Sequence, residues 1–524
     1  MPKRSMPLMA AAIVLVGLAV WIGVTNASGD TSANHVAGHA TGRYAVIVVV
    51  DGARADEFKL ATMPNLAKLA ARGAEYTQAS VGQLPSITET SHATVGTGVY
   101  PKRHHVLGDS WRLPGTEKMS PDLLNTALDR TGYVGRLIRQ AHVPSLAGII
   151  HHTYPGSTVV ALSGHKVYAA DAMGAGHANF VAFGVRDSRG HFVPSVMPGE
   201  TPARSILSSP KLDLPSYPRK PGLEDDWATI LARKFLFQYR PRVLMINLPE
   251  PDVTGHLVGT DPSVMGPLMT DVDRDIGWLV AAYRHAGLLS RTDFLITSDH
   301  GMVPRKHVVS TTSIFRAIHQ AGGAPLYVGH GDDSTIWLKN ASAIVPVGRA
   351  LAAAKFPHVD AVYIKSRSGK YQLVSSPDTL AGANVNRAYQ DLLGTFDNAS
   401  SPDIVLLYDK NTITMDSFFW KSGRRGDHEG ATWGSQHIGM FLAGPGIKSG
   451  YRSSYPARLV DVAPTIESLL GATPSRQDGV PLADAMTSPP RRSADAESHL
   501  RSRRLIDVNA LERQEAFGHS HTRH

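Results

Sequence analysis

The chain of 524 residues contains no cysteine. That absence excludes disulfides, thiolate metal ligands, a cysteine nucleophile and a lipidated N-terminal cysteine. An exported protein can do without disulfides when its core is large. Charged residues make up only 19%, and no basic stripe interleaved with aromatics accompanies the formal net charge of +8. Arginines instead cluster in the last segment, at Arg491, Arg492, Arg501, Arg503 and Arg504, so nucleic acid is not expected as a partner. Collagen-like, coiled-coil and disordered biases are missing over most of the length. What remains, with 42% hydrophobic residues and 48 glycines, is an ordinary folded protein. Its length allows one large domain with insertions, or two to three smaller domains.

One long apolar run is present, from Leu8 to Val24, behind Lys3 and Arg4. It is slightly long for a signal-peptide apolar region and short for a membrane-spanning helix. Residues 1–27 are therefore expected to be a signal peptide or an N-terminal membrane anchor. The two basic residues stay inside, and the rest is exported to a periplasmic or extracellular location or faces outward from the membrane. Residues 28–42 are rich in Gly, Ala, Ser, Thr, Asn and His and read as a flexible linker.

The folded part is expected over residues 43–487. Tyr44–Val50 is a continuous apolar, β-branched run of the kind buried on both faces of a parallel sheet. Val243–Leu248, Phe294–Thr297 and Ile438–Leu442 are similar, with helical segments such as 275–286 between them. The pattern predicts an α/β sandwich. Residues 141–225 and 312–420, rich in Gly, Ser, Pro and short alternating runs, are expected to be inserted subdomains that cover a site at the carboxyl ends of the strands. Residues 488–524, basic and poor in large apolar residues, read as a flexible tail, with His519, His521 and His524 solvated.

Five short motifs carry chemistry. Asp51 directly follows the first strand and precedes Gly52, as a metal ligand or a simple turn. Leu84 to Gly98 reads as a loop entering a helix, rich in hydroxyls (Ser86, Thr88, Thr90, Ser91) and containing His92. A hydroxyl at a helix N-terminus either faces amide N–H groups that can hold a phosphoryl oxygen or simply caps the helix. Asp252 and His256 are four residues apart, close enough to share an ion. Asp299 and His300 end another strand, and Asp427 and His428 precede a further one.

Together and in this order, the motifs resemble the alkaline phosphatase superfamily, and within it the type I phosphodiesterase and nucleotide pyrophosphatase branch. The resemblance covers residues 43–112, 243–303 and 423–450. It implies an alkaline-phosphatase-like α/β/α sandwich with a mostly parallel central sheet and inserted cap subdomains. It also implies two divalent metal ions, one held by Asp51, Asp299, His300 and the Thr88 oxygen, the other by Asp252, His256 and His428. Thr88 is the implied nucleophile because the family's nucleophile lies four residues before the histidine matched by His92; Ser86 and Thr90 are the alternatives. A threonine hydroxyl is a poor nucleophile until a base or metal activates it. Two ions roughly 4 Å apart can activate the attacking oxygen and stabilise the leaving group of an in-line displacement. Three carboxylates and three imidazoles suit zinc, with manganese as the alternative.

Two positions depart from the resemblance. Lys166 stands where monoester-specific relatives carry a Lys and an Arg that hold phosphate, but no arginine stands near it in the sequence. A dianionic monoester gains from a full guanidinium clamp, so the departure favours diesters or pyrophosphates. Asp109 replaces a common Asn donor, and an ionised carboxylate there repels phosphate unless it points away, is protonated or belongs to an altered substrate pocket. Asp109 and Lys166 are thus the candidate substrate-binding residues, for a small-molecule phosphate ester. The rival activity is phosphomonoester hydrolysis on the same machinery. A phosphoryl-headgroup transferase would need more than one spanning helix, a sulfatase would need the missing cysteine, and a non-catalytic binding protein on this fold would not need the full ligand set.

Overall fold

The computed structural model describes residues 42–59, 61–124, 132–186, 192–197, 224–415, 423–490 and 494–521. The expected leader and nearly all of the linker lie outside these residues. Among the described residues no helix is long and apolar enough to cross a membrane.

The central sheet has nine strands: β1 (Tyr44–Val50), β2 (Gly73–Tyr76), β3 (Val159–Ser163), β4 (Phe180–Arg186), β5 (Phe192–Met197), β6 (Val243–Leu248), β7 (Thr292–Thr297), β17 (Met440–Ala443) and β18 (Tyr451–Ser453). Their spatial order is β18-β2-β17-β7-β1-β6-β3-β4-β5. The run β7-β1-β6-β3-β4 is parallel, and β17 and β5 join it antiparallel. Two short ribbons pair β8 (Val303–Pro304) with β16 (Gly426–Asp427) and β9 (His307–Ser310) with β15 (Thr412–Met415). A separate five-stranded antiparallel sheet is formed by β10 (Pro325–Val328), β11 (Asp333–Leu338), β12 (Val359–Lys365), β13 (Tyr371–Leu373) and β14 (Ile404–Tyr408).

β1 shows why the sheet is sandwiched. Its alternate residues face opposite ways, so Ala45, Ile47 and Val49 enter one apolar cluster and Tyr44, Val46, Val48 and Val50 the other. The first cluster contains residues from the helices Leu146–Thr153, Val167–Gly174 and Val462–Leu469; the second, from Pro64–Ala71, Glu224–Tyr239 and Pro262–His285. Burying each such valine or isoleucine stabilises by about 1.5–3 kcal/mol.

Two expectations need correction. Much of 141–225 is not an insertion, because β3, β4 and β5 complete one side of the central sheet. β5 contains Pro194, which is tolerated there because that strand is the edge of the sheet. Nor is the C-terminal segment a loose tail, since Ala494–His521 is one helix. It buries Val508, Ala510 and Leu511 with Arg504, Asp507 and Gln514. Arg504 reaches both Asp461 oxygens at 2.6 and 3.2 Å, and Arg458 reaches Asp507 at 2.8 Å. Further along the helix, Gln514 accepts from Ala381 N and donates to Asp360 and Thr379 O, while Glu515 accepts from Gly434 N. The helix therefore ties the five-stranded sheet and the loop after His428 to the body. Removing one member of such a buried pair leaves a stranded charge. Arg504→Ala is expected to lower stability by about 3–5 kcal/mol, read as a lowered urea midpoint; an unchanged midpoint would show the helix to be loosely held.

Candidate metal centre and active site

Asp51 follows β1, Asp299 follows β7, Asp252 lies just beyond β6 and Lys166 just beyond β3. These four strands are adjacent and parallel, so their carboxyl ends deliver all four side chains to one edge of the sheet, where ligands bind in open α/β folds. Gly52 permits the crowding: its φ is +70°, and an added Cβ would lie 2.7 Å from Asp252 Cα.

Thr88 is the first residue of the helix Thr88–Thr97, whose cap residue Ile87 makes no side-chain capping bond. The Thr88 hydroxyl does not cap the helix. It lies 3.4 Å from Asp51 Oδ1 and 3.2 Å from His300 Nε2, and accepts from Lys166 Nζ at 3.2 Å. Of the alternatives, Ser86 Oγ donates to Gly430 O, and Thr90 Oγ1 is buried without a partner.

The histidines share one arrangement. Nδ1 of His300, His256 and His428 lies 2.9, 2.9 and 3.2 Å from the carbonyls of Gly301, Gly426 and Ser86. A carbonyl can only accept, so at His300 and His428 Nδ1 carries the proton and Nε2 presents a lone pair, whereas His256 Nδ1 also faces a donor, Arg424 Nε, at 3.0 Å. All three Nε2 atoms are turned toward carboxylates, and that of His256 also toward Arg424 Nη2. His256 and His428 Nε2 are each 3.3 Å from Asp252 Oδ1, and His300 Nε2 is 3.4 Å from Asp299 Oδ2 and 3.6 Å from Asp51 Oδ1. Asp252 Oδ1 and Asp299 Oδ2 are buried without a hydrogen-bond partner. Lone pairs converging on unpartnered carboxylate oxygens fit a cation between them, with backbone carbonyls fixing the tautomers as around metal-bound histidines. Asp252, His256 and His428 converge as one such group; Asp51 converges with Asp252 and His300, and again with His92 and Asp299.

Burial alone would raise the Asp51 and Asp252 carboxyls, but the Lys166 ammonium holds Asp51 below the usual range, and the adjacent His256 ring together with Lys166 holds Asp252 well below it. Lys166 Nζ bridges them at 2.9 and 2.6 Å. Burial and the charge of Asp51 push Asp299 well up. Burial lowers His92 and His256 to about 4 and His428 to about 3, so all three imidazoles are neutral at pH 7, the state a metal ligand requires.

A sequence model described as type I phosphodiesterase / nucleotide pyrophosphatase matches residues 45–431. The chain belongs to that family. Among curated relatives of this phosphodiesterase family, human ectonucleotide pyrophosphatase/phosphodiesterase family member 5 is 42% identical over 53 residues, 10% of this chain and 11% of that one. The mouse bis(5'-adenosyl)-triphosphatase is 26% identical over 234 residues, 44% of each chain. The chain thus spans less than half the length of these curated relatives. The solved structure of the inactive murine ectonucleotide pyrophosphatase/phosphodiesterase 5 in complex with AMP aligns with 85% of this chain and 100% of that chain, at a TM-score of 0.59 and 18% identity. That likeness concerns the fold, an α/β sandwich with a large, mostly parallel sheet.

Several side chains of this family member escaped the sequence reading. Asn247, at the end of β6, donates to Asp51 Oδ2 at 2.7 Å, lies 3.0 Å from His92 Nε2 and accepts from Ser163 at 2.7 Å. Arg424 lies against His256, with Nη2 2.9 Å from Nε2, and 3.3 Å from Asp427. It lines the cleft above Thr88 together with Lys166, so an arginine missing from the sequence around Lys166 arrives from 258 residues further on. Asp109 does not point away: it lines the same cleft, its carboxyl pushed up to about 7 by burial and the charge of Asp122. Asn247→Ala would strand Asp51 Oδ2 and Ser163. We expect about 1–3 kcal/mol lower stability by urea unfolding, whereas a loss below about 0.5 kcal/mol would show that these polar groups find other partners.

Proposed function

We propose that the protein is an exported two-metal hydrolase of phosphoric esters, a phosphodiesterase or nucleotide pyrophosphatase acting through a phosphothreonine at Thr88. The observation that carries this reading is the Thr88 hydroxyl, off the capping position and within 3.4 Å of Asp51, His300 and Lys166 at once. Export rests on the basic residues and apolar run at the N-terminus.

Asp51, Asp299 and His300, with the Thr88 oxygen, would hold one ion, and Asp252, His256 and His428 the other. The imidazole and carboxylate donors suit zinc. When bound, the pair would supply Lewis acidity and neutralise charge on the phosphoryl group. Thr88 Oγ1 then attacks phosphorus, the Oγ1–P bond forms and the ester P–O bond breaks, and the alcohol leaves with a proton. Water attacks the phosphothreonine, its oxygen binds phosphorus, the Oγ1–P bond breaks and Thr88 recovers its proton. Lys166 and Arg424 are suited to hold nonbridging oxygens through charge-assisted hydrogen bonds. Asn247 orients Asp51, and the carbonyl contacts of the three histidines keep their Nε2 atoms turned inward.

The Arg424 position favours phosphomonoesterase activity as the second reading, because Arg424 lines the cleft together with Lys166 and a dianionic group gains from two cations. Hydrolysis of bis(p-nitrophenyl) phosphate and p-nitrophenyl phosphate separates the two. We expect diester preference, loss of activity on chelation with recovery on zinc addition, two zinc ions per chain by elemental analysis, and a phosphorylated Thr88 peptide after acid quench. Thr88→Ala should lower kcat by roughly 10³-fold or more. A variant retaining wild-type turnover would remove Thr88 from the chemistry. Arg424→Ala should lower kcat/KM for the monoester about tenfold more than for the diester; an equal effect on both would mean that Arg424 does not distinguish the dianion.

A further inference from the structure

Opposite the candidate centre lies the end of the central sheet where β1, β6 and β7 begin and the helices Glu224–Tyr239 and Pro262–His285 finish. The last turns of Pro262–His285 stand as a ridge between two hollows: Gly277, Val280 and Arg284 line one, and Trp278, Ala281 and His285 the other. The first hollow, about 440 Å³ in volume, has Leu69, Val280 and Phe294 in its walls and Lys68, Arg72 and Arg284 around it. All three cations are exposed. Among the described residues none of them has an ion pair or a side-chain hydrogen bond, whereas Arg43 and Arg274 are paired with Asp293 and Asp226. The second hollow, about 680 Å³, adds Arg233, Phe237 and Trp278. Phe237 is 44% exposed and meets His285 edge-on at 5.7 Å. No carboxylate lines either hollow, in a chain that has 45 acidic residues.

Four permanent cations beside exposed aromatic surface select among occupants. A second copy of the chain, related by a two-fold axis, would bring this face against itself and set cations on cations. A small free anion would satisfy the cations but leave Phe237 and Trp278 in water. An anionic lipid surface answers both, because its phosphates meet the cations and its interfacial layer takes aromatic rings. The direction of the chain agrees: β1 is entered at this end through Arg43, and the apolar run Leu8–Val24 precedes it in the sequence.

We propose that this end of the sheet rests on an anionic lipid surface, with lipid phosphates at the hollow bordered by Lys68, Arg72 and Arg284 and the Phe237 ring in the interfacial layer. The proposal is independent of the reaction at Thr88. It fixes how the protein is presented, since the seven residues of β1 put about 20 Å between this face and Asp51. The cleft above Thr88 then opens away from the lipid and meets esters that arrive from solution.

Because the chain has no cysteine, a single label can be placed at will. The full chain carrying Ala281→Cys, exposed on the ridge between the hollows, is labelled with a polarity-sensitive fluorophore. It is titrated with vesicles of phosphatidylcholine alone or mixed with phosphatidylglycerol. A label at Val345→Cys, 45% exposed on a helix packed against the five-stranded sheet, reports attachment that does not seat this face. We expect the label at 281 to shift to the blue at about tenfold less anionic than zwitterionic lipid, with no shift at 345. Lys68→Glu/Arg72→Glu/Arg284→Glu should remove that preference, and so should about 1 M salt, where charges are screened within about 3 Å. The salt arm needs no variant to fold. Phe237→Ser should raise the lipid required about tenfold. No preference for anionic lipid at 281, equal shifts at 281 and 345, or a preference that survives both charge reversal and salt overturns the proposal. So does a full response to soluble glycerol 3-phosphate, which would make the hollow a site for a free anion, or one that grows with protein concentration without lipid, which would seat a second copy there.

Discussion

Asp51, Asp252 and Asp299 are buried together at the carboxyl end of a parallel sheet, and three carboxylates in so dry a place must be neutralised by charge. Much of the surrounding structure answers that constraint. Lys166 bridges two of the acids, and Asn247 donates to Asp51. Backbone amides of Gly52 and His300 donate to Asp299. Oxygens on Asp252 and Asp299 still have no hydrogen-bond donor, and the imidazoles of His428 and His300 turned toward them offer lone pairs. Cations would complete such an arrangement, so the polarity of the site supports a candidate metal centre as well as its residue types do.

The sheet supplies the precision. Each of the four central strands ends beside its neighbour in register, as Val49 pairs with both Asn247 and Thr297, so residues just beyond the strand ends meet without long loops. The rest of the cleft lining comes from elsewhere. Tyr327 and His330 reach the cleft from the five-stranded sheet, and Arg424 and Glu429 from the loop on either side of β16. The C-terminal helix ties both regions to the body through Gln514, Glu515 and Arg504. The candidate ligands and the rest of the cleft lining thus come from different segments that meet where Arg424 lies against His256 and Glu429 follows His428.

The strands that bear the candidate ligands were legible because a strand buried on both faces is an unbroken apolar run, and an aspartate stands within four residues of the end of each. The edge strands were not, because β5 carries Pro194 and Ser195, which an edge tolerates and a central strand does not. The C-terminal helix was missed for a related reason. Its buried face includes Arg504, Asp507 and Gln514, residues that pattern reading assigns to solvent. Arg424 was invisible as a second cation of the cleft that Lys166 lines because 258 residues separate them.

The sequence by itself determined the class of fold, the family resemblance and the side chains around the candidate centre, since strand-end acids, a hydroxyl ahead of His92 and spaced Asp–His pairs are local patterns. Only the tertiary structure decided how these were oriented and what stood opposite them. It took the Thr88 hydroxyl off the capping position, turned three Nε2 atoms inward, set Arg424 beside His256 and placed Glu89, Asp109 and Glu429 around one cleft. The physical reason is that strand and helix periodicities are written in neighbouring residues, whereas the sign and direction of charge at a site are sums over segments far apart in the chain.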